Sequence, residues 1–386
     1  MKLGFELKKV SKKSRARAGV LHTAHGSVQT PFFLPIATKA AIKGLEVSDV
    51  TKLGAEMILS NTYHLYLQPG VIILQKFGGL HKFMLSSVPI LTDSGGFQIF
   101  SLGHMAKLTD DGVIFRSHLN GDLHTLTPKK AMEIQAIIGS DVMMVLDYFP
   151  GYPATRKQAK RSIDLTKRWA TLCQEHKKKL EKRNKKVGKQ LLFAIVQGST
   201  FEDLRLQSAK DLAAMKFDGY AVGGLAVGEP AKEMYKVLDY IVPALPAEKI
   251  HYLMGVGYPD NIVEAVKRGI DMFDCVIPTR EARHGRLFYY SAHRRDKSRS
   301  RLTRRPVPTS GFRGRFWSSI NIRSFKFKND ISPVNQTTLK NYSKAYLHHL
   351  FRSNEMLGLR LASLHNLEFY QQLMMDIRLN IKKGDL

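Results

Sequence analysis

Residues 251–280 read HYLMGVGYPDNIVEAVKRGIDMFDCVIPTR, and their apolar spacing indicates the fold class. Two short apolar runs, 251–257 and 272–279, each end in glycine or polar residues, as buried strands do. Between them, at 261–269, apolar residues return every three or four positions, the spacing of a helix that packs one face. The stretch therefore predicts a strand, a helix and a second strand.

The same alternation extends through the preceding part of the chain. Further apolar runs of this kind lie at 32–37, 57–62, 90–96, 142–149, 192–198 and 219–226. Helical spacing recurs between several of them, at 129–139, 156–182, 201–215 and 231–245. Eight strands that alternate with helices favour an α/β fold of the (β/α)8, or TIM barrel, class.

Two regions depart from this alternation. Residues 293–328 are rich in Lys and Arg with interleaved aromatic residues, which fits either a nucleic-acid surface or a disordered basic insertion. Residues 339–383 have the apolar spacing of two or three amphipathic helices. We therefore expect a barrel core at 1–290, a basic insertion at 291–338 and C-terminal helices that pack on the barrel at 339–386.

The composition narrows the class of partner and compartment. With 44% hydrophobic residues among 386, the chain is large enough for a packed enzyme core. Its formal charge of +27 favours a polyanion such as nucleic acid, although a solvated basic surface or an anionic membrane face would fit the same charge. We find neither a run long enough for a membrane span nor a signal-peptide segment, and we expect a cytoplasmic protein without a membrane partner. The two cysteines, Cys173 and Cys275, are too few for a disulfide framework.

Polar residues or glycines close most of the predicted strands. In a (β/α)8 barrel the carboxyl ends of the strands meet at one catalytic face. The residues at these ends are Asn61, Asp93, Asp147, Gln197, Gly223, Gly224, Gly255 and Asp274. The pattern itself therefore nominates this face as the active site.

Asp93 and Asp274 are the candidate catalytic pair. Asp93 lies in the segment LTDSGGFQ, whose glycines allow the backbone to approach a ligand closely. Asp274 ends the last run, and strand alternation places it on the opposite side from Cys275. Two carboxylates suit glycosyl transfer, in which one attacks the anomeric carbon and the other moves protons as one base leaves and another arrives. Taken alone, each aspartate could equally be a loop cap or a salt-bridge partner.

Asp147 and Gln197 are candidates for reading a purine. A carboxylate accepts hydrogen bonds, which suits the N1–H and amine of guanine, and a Gln amide can donate to O6, whereas adenine would mismatch this pair. The Gly-Gly-Leu turn at 223–225 could offer backbone groups to the same base, and Met254 could lie against its face. Gly-Gly is also common in plain turns and Met in cores, so these signals are weak singly.

Several segments carry a resemblance to one enzyme family. They are FELKKVSKKSRARAG, SNTYHLYLQPG, LTDSGGFQ, the IVQG that contains Gln197, DGYAVGGLAVGEP, HYLMGVGYPDNIVEAVKRGIDMFDCVIPTREARHG and NYSKAYLHHL. Together they span nearly the whole chain. The sequence resembles the tRNA-guanine transglycosylases of the bacterial type, which implies a (β/α)8 barrel and a homodimer.

The resemblance also implies roles for individual residues. Asp274 would be the nucleophile on C1′ of the target ribose, and Asp93 the proton acceptor for the incoming base. Asn61 would steady Asp93, and Phe97 and Met254 would lie on the two faces of the base. The implied substrate-binding set is Asn61, Ser94, Gly95, Gly96, Phe97, Asp147, Gln197, Gly224, Leu225 and Met254. The implied RNA-binding set is Gly255, Val256, Gly257, Tyr258, Pro259, Asp260, Asn261, Thr279, Arg280, Glu281, Ala282 and Arg283.

The implied reaction replaces guanine at the wobble position of a tRNA anticodon by a 7-deazaguanine in queuosine biosynthesis. The target base must leave its stack, which costs least in a single-stranded loop. A covalent ribosyl–aspartate intermediate would give retention at C1′. The segment LAVGE at 225–229 resembles the form that takes the aminomethyl base. Tyr148 and Phe149 stand where many bacterial relatives have Glu-Cys, a difference that leaves the preferred base open.

One departure from the family concerns metal binding. Members usually carry a zinc site made of a Cys-x-Cys-x-x-Cys motif and a later histidine. This chain has ISPVNQTTLK where the cysteines are expected, so of the four ligands only His365 remains. One imidazole does not make a tetrahedral zinc site. We expect no zinc and no other cofactor, with His365 in a packed or surface position.

Three other functions compete with this interpretation. A transglycosylase-like barrel could bind RNA without catalysis, but that class loses the catalytic carboxylates that this chain has. An archaeosine-type enzyme would carry an appended RNA-binding domain, which this sequence does not contain. An unrelated barrel glycosidase would need aromatic platforms for sugars in place of a guanine-reading Asp and Gln.

Overall fold

The computed structural model describes residues 2–102, 106–291 and 316–386. In chain order the strands are β1 (Gly4–Val10), β2 (Arg17–Thr23), β3 (Gly26–Thr30), β4 (Phe32–Leu34), β5 (Ile58–Ser60), β6 (Ile90–Thr92), β7 (Lys107–Thr109), β8 (Gly112–Arg116), β9 (Leu123–Leu126), β10 (Val142–Met144), β11 (Leu191–Val196), β12 (Gly219–Val222), β13 (Ile250–Leu253), β14 (Met272–Asp274), β15 (Arg286–Tyr290) and β16 (Trp317–Asn321). The α-helices are α1 (Val47–Lys52), α2 (Thr62–Leu65), α3 (Val71–Phe77), α4 (Leu80–Phe83), α5 (Gly96–Leu102), α6 (Pro128–Ile138), α7 (Arg156–Arg183), α8 (Glu202–Ala214), α9 (Ala231–Ile241), α10 (Pro259–Lys267), α11 (Ile277–Arg283), α12 (Lys344–Arg352) and α13 (Met356–Lys383).

Eight parallel strands form the barrel, in the order β4, β14, β13, β12, β11, β10, β6 and β5. An isolated parallel bridge between Ile36 and Leu59 joins the two outer strands of this order. Every barrel strand overlaps one of the eight predicted apolar runs, and most of the strand residues are buried. The predicted (β/α)8 fold is confirmed.

Helices α7 to α10 connect the strands from β10 to β14, as their apolar spacing predicts. The eighth position in the outer ring is filled by α13, which contacts α10 on one side and α1 on the other. An ion pair of 2.8 Å between Arg360 of α13 and Asp49 of α1 joins the end of the chain to its beginning. None of the described helices is both long and apolar enough to cross a membrane. The three-part division of the chain stays a prediction.

A smaller core lies beside the barrel, under α12 and the hairpin of β15 and β16. Leu287, Ile322, Leu347, Phe351 and Leu361 are among the residues that fill it. The aromatic residues at the end of the basic segment take part in packing: Phe316, Trp317 and Phe327 are buried, whereas Phe325 is exposed. The three buried rings are therefore not available for stacking on RNA. Residues 292–315, which include Phe312 and many of the basic residues, lie outside the described ranges.

A three-stranded antiparallel sheet, β1 to β3, lies across the amino ends of the barrel strands. Arg17 of β2 is bonded through Nε and Nη2 to the carboxylate of Asp271, the residue before β14, and both side chains are buried. His25, in the turn after β2, donates its backbone N–H to Asp141, the residue before β10. The sheet thus closes the end of the barrel opposite to the predicted active site.

Candidate active site

Asp93 is the first residue after β6 and is almost fully buried. The backbone N–H of Thr62 donates to its Oδ1 at 2.9 Å, and the Nδ2 amide of Asn61 donates to its Oδ2. Burial raises the pKa of Asp93 to about 7, helped by the negative charges of Asp274 and Asp147 and opposed by the backbone hydrogen bonds. Near neutral pH this carboxyl group can therefore both give and take a proton.

Asp274 is the last residue of β14, and its side chain is partly exposed. Two hydrogen bonds from other described residues go to Oδ1, from the Tyr252 hydroxyl at 2.5 Å and from the Gly255 N–H at 2.9 Å. Burial raises the pKa of Asp274 above its ordinary value, although these two donors lower it. The sequence pattern did not single out Tyr252, because an aromatic residue inside an apolar strand is typical of a core position.

Cys275 lies beside Asp274 but points elsewhere. A Cβ on Gly257 would lie 2.7 Å from its sulfur, so the thiol is packed against this glycine. Burial raises the pKa of Cys275 to about 12, which leaves it protonated at neutral pH. The side chain that reaches the Tyr252 hydroxyl is Asp274, as strand alternation indicates.

Asp147 follows β10 and joins the ends of three barrel strands. The Ser94 hydroxyl donates to its Oδ1 at 2.7 Å, and the Gln197 Nε2 amide donates to its Oδ2, also at 2.7 Å. Burial raises the pKa of Asp147, against the effect of these two hydrogen bonds. The Oε1 atom of Gln197 is buried without a hydrogen-bond partner among the described residues. The amide donor that we expected to face a base carbonyl is thus held by Asp147 in this structure.

Glycines bring the backbone close to these side chains. A Cβ on Gly96 would lie 2.7 Å from the Asp147 carbonyl oxygen, and Gly95 has a φ of +79°, which favours glycine. On the other side, a Cβ on Gly224 would lie 2.6 Å from Gln197 Oε1. No larger residue fits at these positions without displacing the groups that surround Asp147.

Aromatic rings lie at the rim of this cluster. Phe97 is half-exposed, and its ring lies 5.7 Å from that of Phe149 with a tilt of 32°. Phe149 also lies close to Gly224, since a Cβ there would be 3.3 Å from the Phe149 ring. Leu225 is buried and Met254 is partly buried. Phe149, which the sequence analysis considered only for the choice of base, is therefore a neighbour of the predicted base-stacking residue Phe97.

Comparison with known proteins identifies the family of the chain. The profile of the queuine tRNA-ribosyltransferase family matches residues 11–386. The chain belongs to this family. The queuine tRNA-ribosyltransferase of Vibrio atlanticus is 48% identical over 385 residues, which cover 99% of this chain and 93% of the relative. Proteins of the same name from Anoxybacillus flavithermus and Bacillus subtilis are each 46% identical over 386 residues, with the same coverage. The enzyme class inferred from the motifs, a tRNA-guanine transglycosylase, is thereby confirmed.

The residues of the two segments that the resemblance assigns to RNA binding differ in exposure. Tyr258, Asp260 and Arg280 are exposed, as is Gly255, and Asn261, Glu281 and Arg283 are partly buried. The side chains of Val256, Pro259, Thr279 and Ala282 are buried, and Gly257 is buried as well. These five residues pack the turns and helix starts, so they could meet RNA only through their backbone. The RNA-binding assignment as a whole stays a prediction.

His365 does not fit the zinc site of queuine tRNA-ribosyltransferases. It is buried in α13, where its Nε2 lies 2.7 Å from the Phe288 carbonyl and its Nδ1 lies 3.3 Å from the Asn335 amide. Burial lowers its pKa to about 4, so the ring is neutral. Both ring nitrogens are engaged, and the sequence has no cysteine in residues 276–386. The remaining donors do not suit a tetrahedral zinc site.

Within the described residues, one group has three side chains that could hold a metal ion: His25, His81 and Asp141. It lies at the amino end of the barrel, away from the catalytic carboxylates. Both oxygens of Asp141 are already engaged, Oδ1 by His25 and Oδ2 by His81 at 3.0 Å and by the Ile90 N–H at 2.9 Å. The two imidazole rings are stacked 3.7 Å apart. We interpret the group as a structural contact.

Proposed function

We propose that this chain replaces guanine at the wobble position of a tRNA anticodon by a 7-deazaguanine, through a covalent ribosyl–Asp274 intermediate. One observation carries the proposal. The ends of three strands bring together Asp274, which is held through Oδ1, Asp93, with a pKa of about 7, and Asp147, which is held by two side-chain hydrogen bonds. Such a trio supplies the nucleophile, the proton carrier and the purine reader that base exchange needs.

In the first half-reaction Asp274 attacks C1′ of the target ribose. The hydrogen bonds from Tyr252 and Gly255 both go to Oδ1, so Oδ2 is the attacking oxygen. The C1′–Oδ2 bond forms as the C1′–N9 bond breaks, and guanine leaves with the bonding electrons on N9. Protonated Asp93 supplies the proton that the leaving base takes up. The products are free guanine and a ribosyl ester on Asp274.

Electrostatics favour this direction of proton transfer. The charge of Asp274 is one of the causes that raise the pKa of Asp93, and ester formation removes that charge. Asp93 therefore becomes a stronger acid as the ester forms. In the second half-reaction the carboxylate of Asp93 takes the N9 proton of the incoming base, whose N9 then attacks C1′ and releases Asp274. Two displacements at C1′ give overall retention.

Asp147 is proposed to select the base. As a carboxylate it accepts hydrogen bonds, which matches the N1–H and exocyclic amine of guanine or a 7-deazaguanine. Its bonds to Ser94 and Gln197 fix its orientation. Phe97 and Met254 would cover the two faces of the base. The preferred incoming base is 7-aminomethyl-7-deazaguanine, on the resemblance of residues 225–229 to that class.

The partners follow from the same proposal. The substrate is a tRNA with guanine at the wobble position, which suits a formal charge of +27 on the protein. The chain acts as a homodimer, as the family resemblance implies. It acts without zinc, since His365 already uses both ring nitrogens inside the protein. No redox cofactor or nucleoside triphosphate takes part, because one glycosidic bond is exchanged for another.

Incorporation of labelled guanine into purified tRNA tests the proposal. We expect incorporation into a transcript with guanine at the wobble position, and none into the same transcript with adenine there. Unlabelled 7-aminomethyl-7-deazaguanine should compete with labelled guanine for incorporation. Once this base is in the tRNA, labelled guanine should no longer replace it. Absence of incorporation with properly folded protein would contradict the proposed function.

A further inference from the structure

Arg205 is a fully buried side chain in the first turn of α8, next to the predicted base pocket. Within the part of the chain that the structure describes, its guanidinium group donates only to backbone carbonyls. Nε donates to Ser199 at 2.7 Å, and Nη1 donates to Val196 at 2.9 Å and to Gly223 at 2.7 Å. Nη2 donates to Gly224 at 3.3 Å. One side chain thus connects the carboxyl ends of β11 and β12.

The positive charge of Arg205 has no carboxylate in ion-pair contact among the described residues. Burial lowers its pKa to about 10, so it is charged at neutral pH, and Glu229 and Tyr240 act on it only from a distance. Removing an arginine from water without an ionic partner is costly. A neutral side chain could brace two loops at lower cost, which suggests that the charge itself has a role.

Two of the carbonyls that Arg205 engages, those of Gly223 and Gly224, belong to the turn that touches Gln197. A Cβ on Gly223 would lie 2.7 Å from Gln197 Nε2, and a Cβ on Gly224 would lie 2.6 Å from Gln197 Oε1. Gly224 has a φ of +63°, which favours glycine. Since Gln197 is bonded to Asp147, the turn that Arg205 fixes is in direct contact with the base-reading pair.

The charge of Arg205 also acts through the peptide groups. The carbonyl of Gly223 and the N–H of Gly224 belong to one peptide unit, and the carbonyl of Gly224 and the N–H of Leu225 belong to the next. A cation bonded to each carbonyl polarises the unit and strengthens its N–H as a donor. Strong donors at this turn suit a ligand that presents a carbonyl oxygen, such as the O6 of a 6-oxopurine.

We propose that Arg205 is a positioning residue that sets the preference of the site for 6-oxopurines, by fixing and polarising the 223–225 turn. This inference rests on the proposed function, because it assumes that a guanine-type base enters the pocket beside Asp147. Arg205 itself touches no substrate. It acts through the backbone of Gly224 and Leu225.

A pair of base analogues separates this role from general support of the fold. Guanine and 6-thioguanine share the N1–H and the amine, but sulfur is a weaker hydrogen-bond acceptor than oxygen. Inhibition constants for both bases are measured on wild type, Arg205→Gln and Arg205→Lys, together with tRNA affinity and melting temperature. Gln keeps amide donors without the charge, whereas Lys keeps the charge with a poorer fit to the carbonyls.

We expect Arg205→Gln to weaken guanine binding by about tenfold or more and 6-thioguanine binding much less, with unchanged tRNA affinity. Arg205→Lys should retain a larger part of the preference for guanine. If Arg205→Gln fails to fold, Arg205→Lys alone still decides, since its poorer fit to the carbonyls should cause a partial loss that is larger for guanine than for 6-thioguanine. Equal losses for the two bases, or no loss, would overturn the inference.

Arg378→Gln is the matched control. Arg378 also donates to a backbone carbonyl, that of Pro31 at 2.8 Å, but at the opposite end of the barrel. Its replacement should leave the ratio of the two inhibition constants unchanged. A failure of the proposed function is distinguishable, because wild type would then exchange no guanine into tRNA. If wild type exchanges guanine and the Arg205 variants keep its full preference, only this inference fails.

Discussion

The two ends of the barrel hold buried carboxylates in opposite surroundings. At the amino end Asp271 is bonded to Arg17, and Asp141 is bonded to two histidines. At the carboxyl end Asp93, Asp147 and Asp274 accept hydrogen bonds from amide, hydroxyl and backbone groups. Among the described residues, none of these three has a cationic side chain in ion-pair contact.

The pKa directions follow this difference at Asp141 but not at Asp271, whose pKa burial raises in spite of the charge of Arg17 and the His251 N–H. Burial raises the pKa of Asp141, but hydrogen bonds from His81 and the Ile90 N–H bring it below its ordinary value. At the carboxyl end burial prevails, and the pKa of each of Asp93, Asp147 and Asp274 is raised. At the amino end the carboxylates bond to arginine or histidine side chains and hold elements together, whereas the three at the carboxyl end have no such partner among the described residues. The partners, and not the pKa directions alone, therefore separate structural from chemical aspartates.

The largest expected effect on activity comes from removing one carboxylate charge at the carboxyl end, with the same change at the amino end as the comparison. Asp274→Asn removes the nucleophile, so guanine exchange into tRNA should fall by about a thousandfold or more. Asp271→Asn, at the amino end, should leave the rate per folded molecule within the same order of magnitude as that of wild type. Rates per folded molecule and tRNA affinity are measured for both. Comparable losses of rate in the two variants would remove the distinction between the ends.

The two half-reactions should depend on pH in opposite directions. Asp93 must be protonated to release guanine, so release without added base should slow as the pH rises through about 7. It must be a carboxylate to accept the N9 proton, so the chase of a formed adduct with base should quicken as the pH rises. The midpoint of the chase should lie below that of release, because the ester has removed the charge of Asp274.

Asp93→Asn should slow both half-reactions by about 10²–10⁴-fold and abolish these pH dependences. Rapid-quench measurements of guanine release and of base incorporation provide the rates. Parallel pH profiles for the two steps would show that Asp93 is not the shared proton carrier.

A stability effect should appear at the amino end. Removing one partner of a buried ion pair leaves the other charge uncompensated, so Asp271→Asn should lower the free energy of unfolding by about 3–5 kcal/mol. Asp111→Asn breaks an exposed pair of 2.8 Å with Arg168 and should change it little. Denaturant titrations compare the two with wild type. A small effect of Asp271→Asn would mean that Arg17 finds other partners, such as the carbonyls that it already contacts.

The smallest effect is expected at His365. His365→Ala leaves the Phe288 carbonyl without its partner, which should cost about 1–3 kcal/mol of stability and no activity. The purified protein should contain no stoichiometric zinc and should tolerate chelators. Metal analysis and activity after dialysis against a chelator provide the readout. One tightly bound zinc per chain, with activity lost on chelation, would contradict this expectation.

The sequence predicted the barrel because each of its strands is a short apolar run with a polar or glycine residue at its end. The same rule located Asp93, Asp147, Gln197 and Asp274, since parallel strand ends meet at one face. It did not locate Arg205, which lies between Leu204 and Leu206 in the mixed charged and apolar pattern of an ordinary helix start. Its role depends on contacts with β12, eighteen residues away in the case of Gly223.

Other features depend on pairings between distant parts of the chain. The Arg17–Asp271 contact joins residues that no local pattern relates. Trp317 and Phe327 lie in the basic segment that fits an RNA surface, but Trp317 is buried in the main core and Phe327 in the smaller core. Composition does not reveal which side of a hairpin faces a core. α13 fills the eighth helical position only through its contacts with both α10 and α1.

The covalent intermediate is the most direct test of the central claim. Wild type, Asp274→Asn and Asp271→Asn are incubated with tRNA while free guanine is removed, and the products are separated under denaturing conditions. We predict a protein–tRNA adduct for wild type and Asp271→Asn, with the ribose attached to the peptide that contains Asp274, and none for Asp274→Asn. An adduct that persists in Asp274→Asn, or that maps to another residue, would contradict the account.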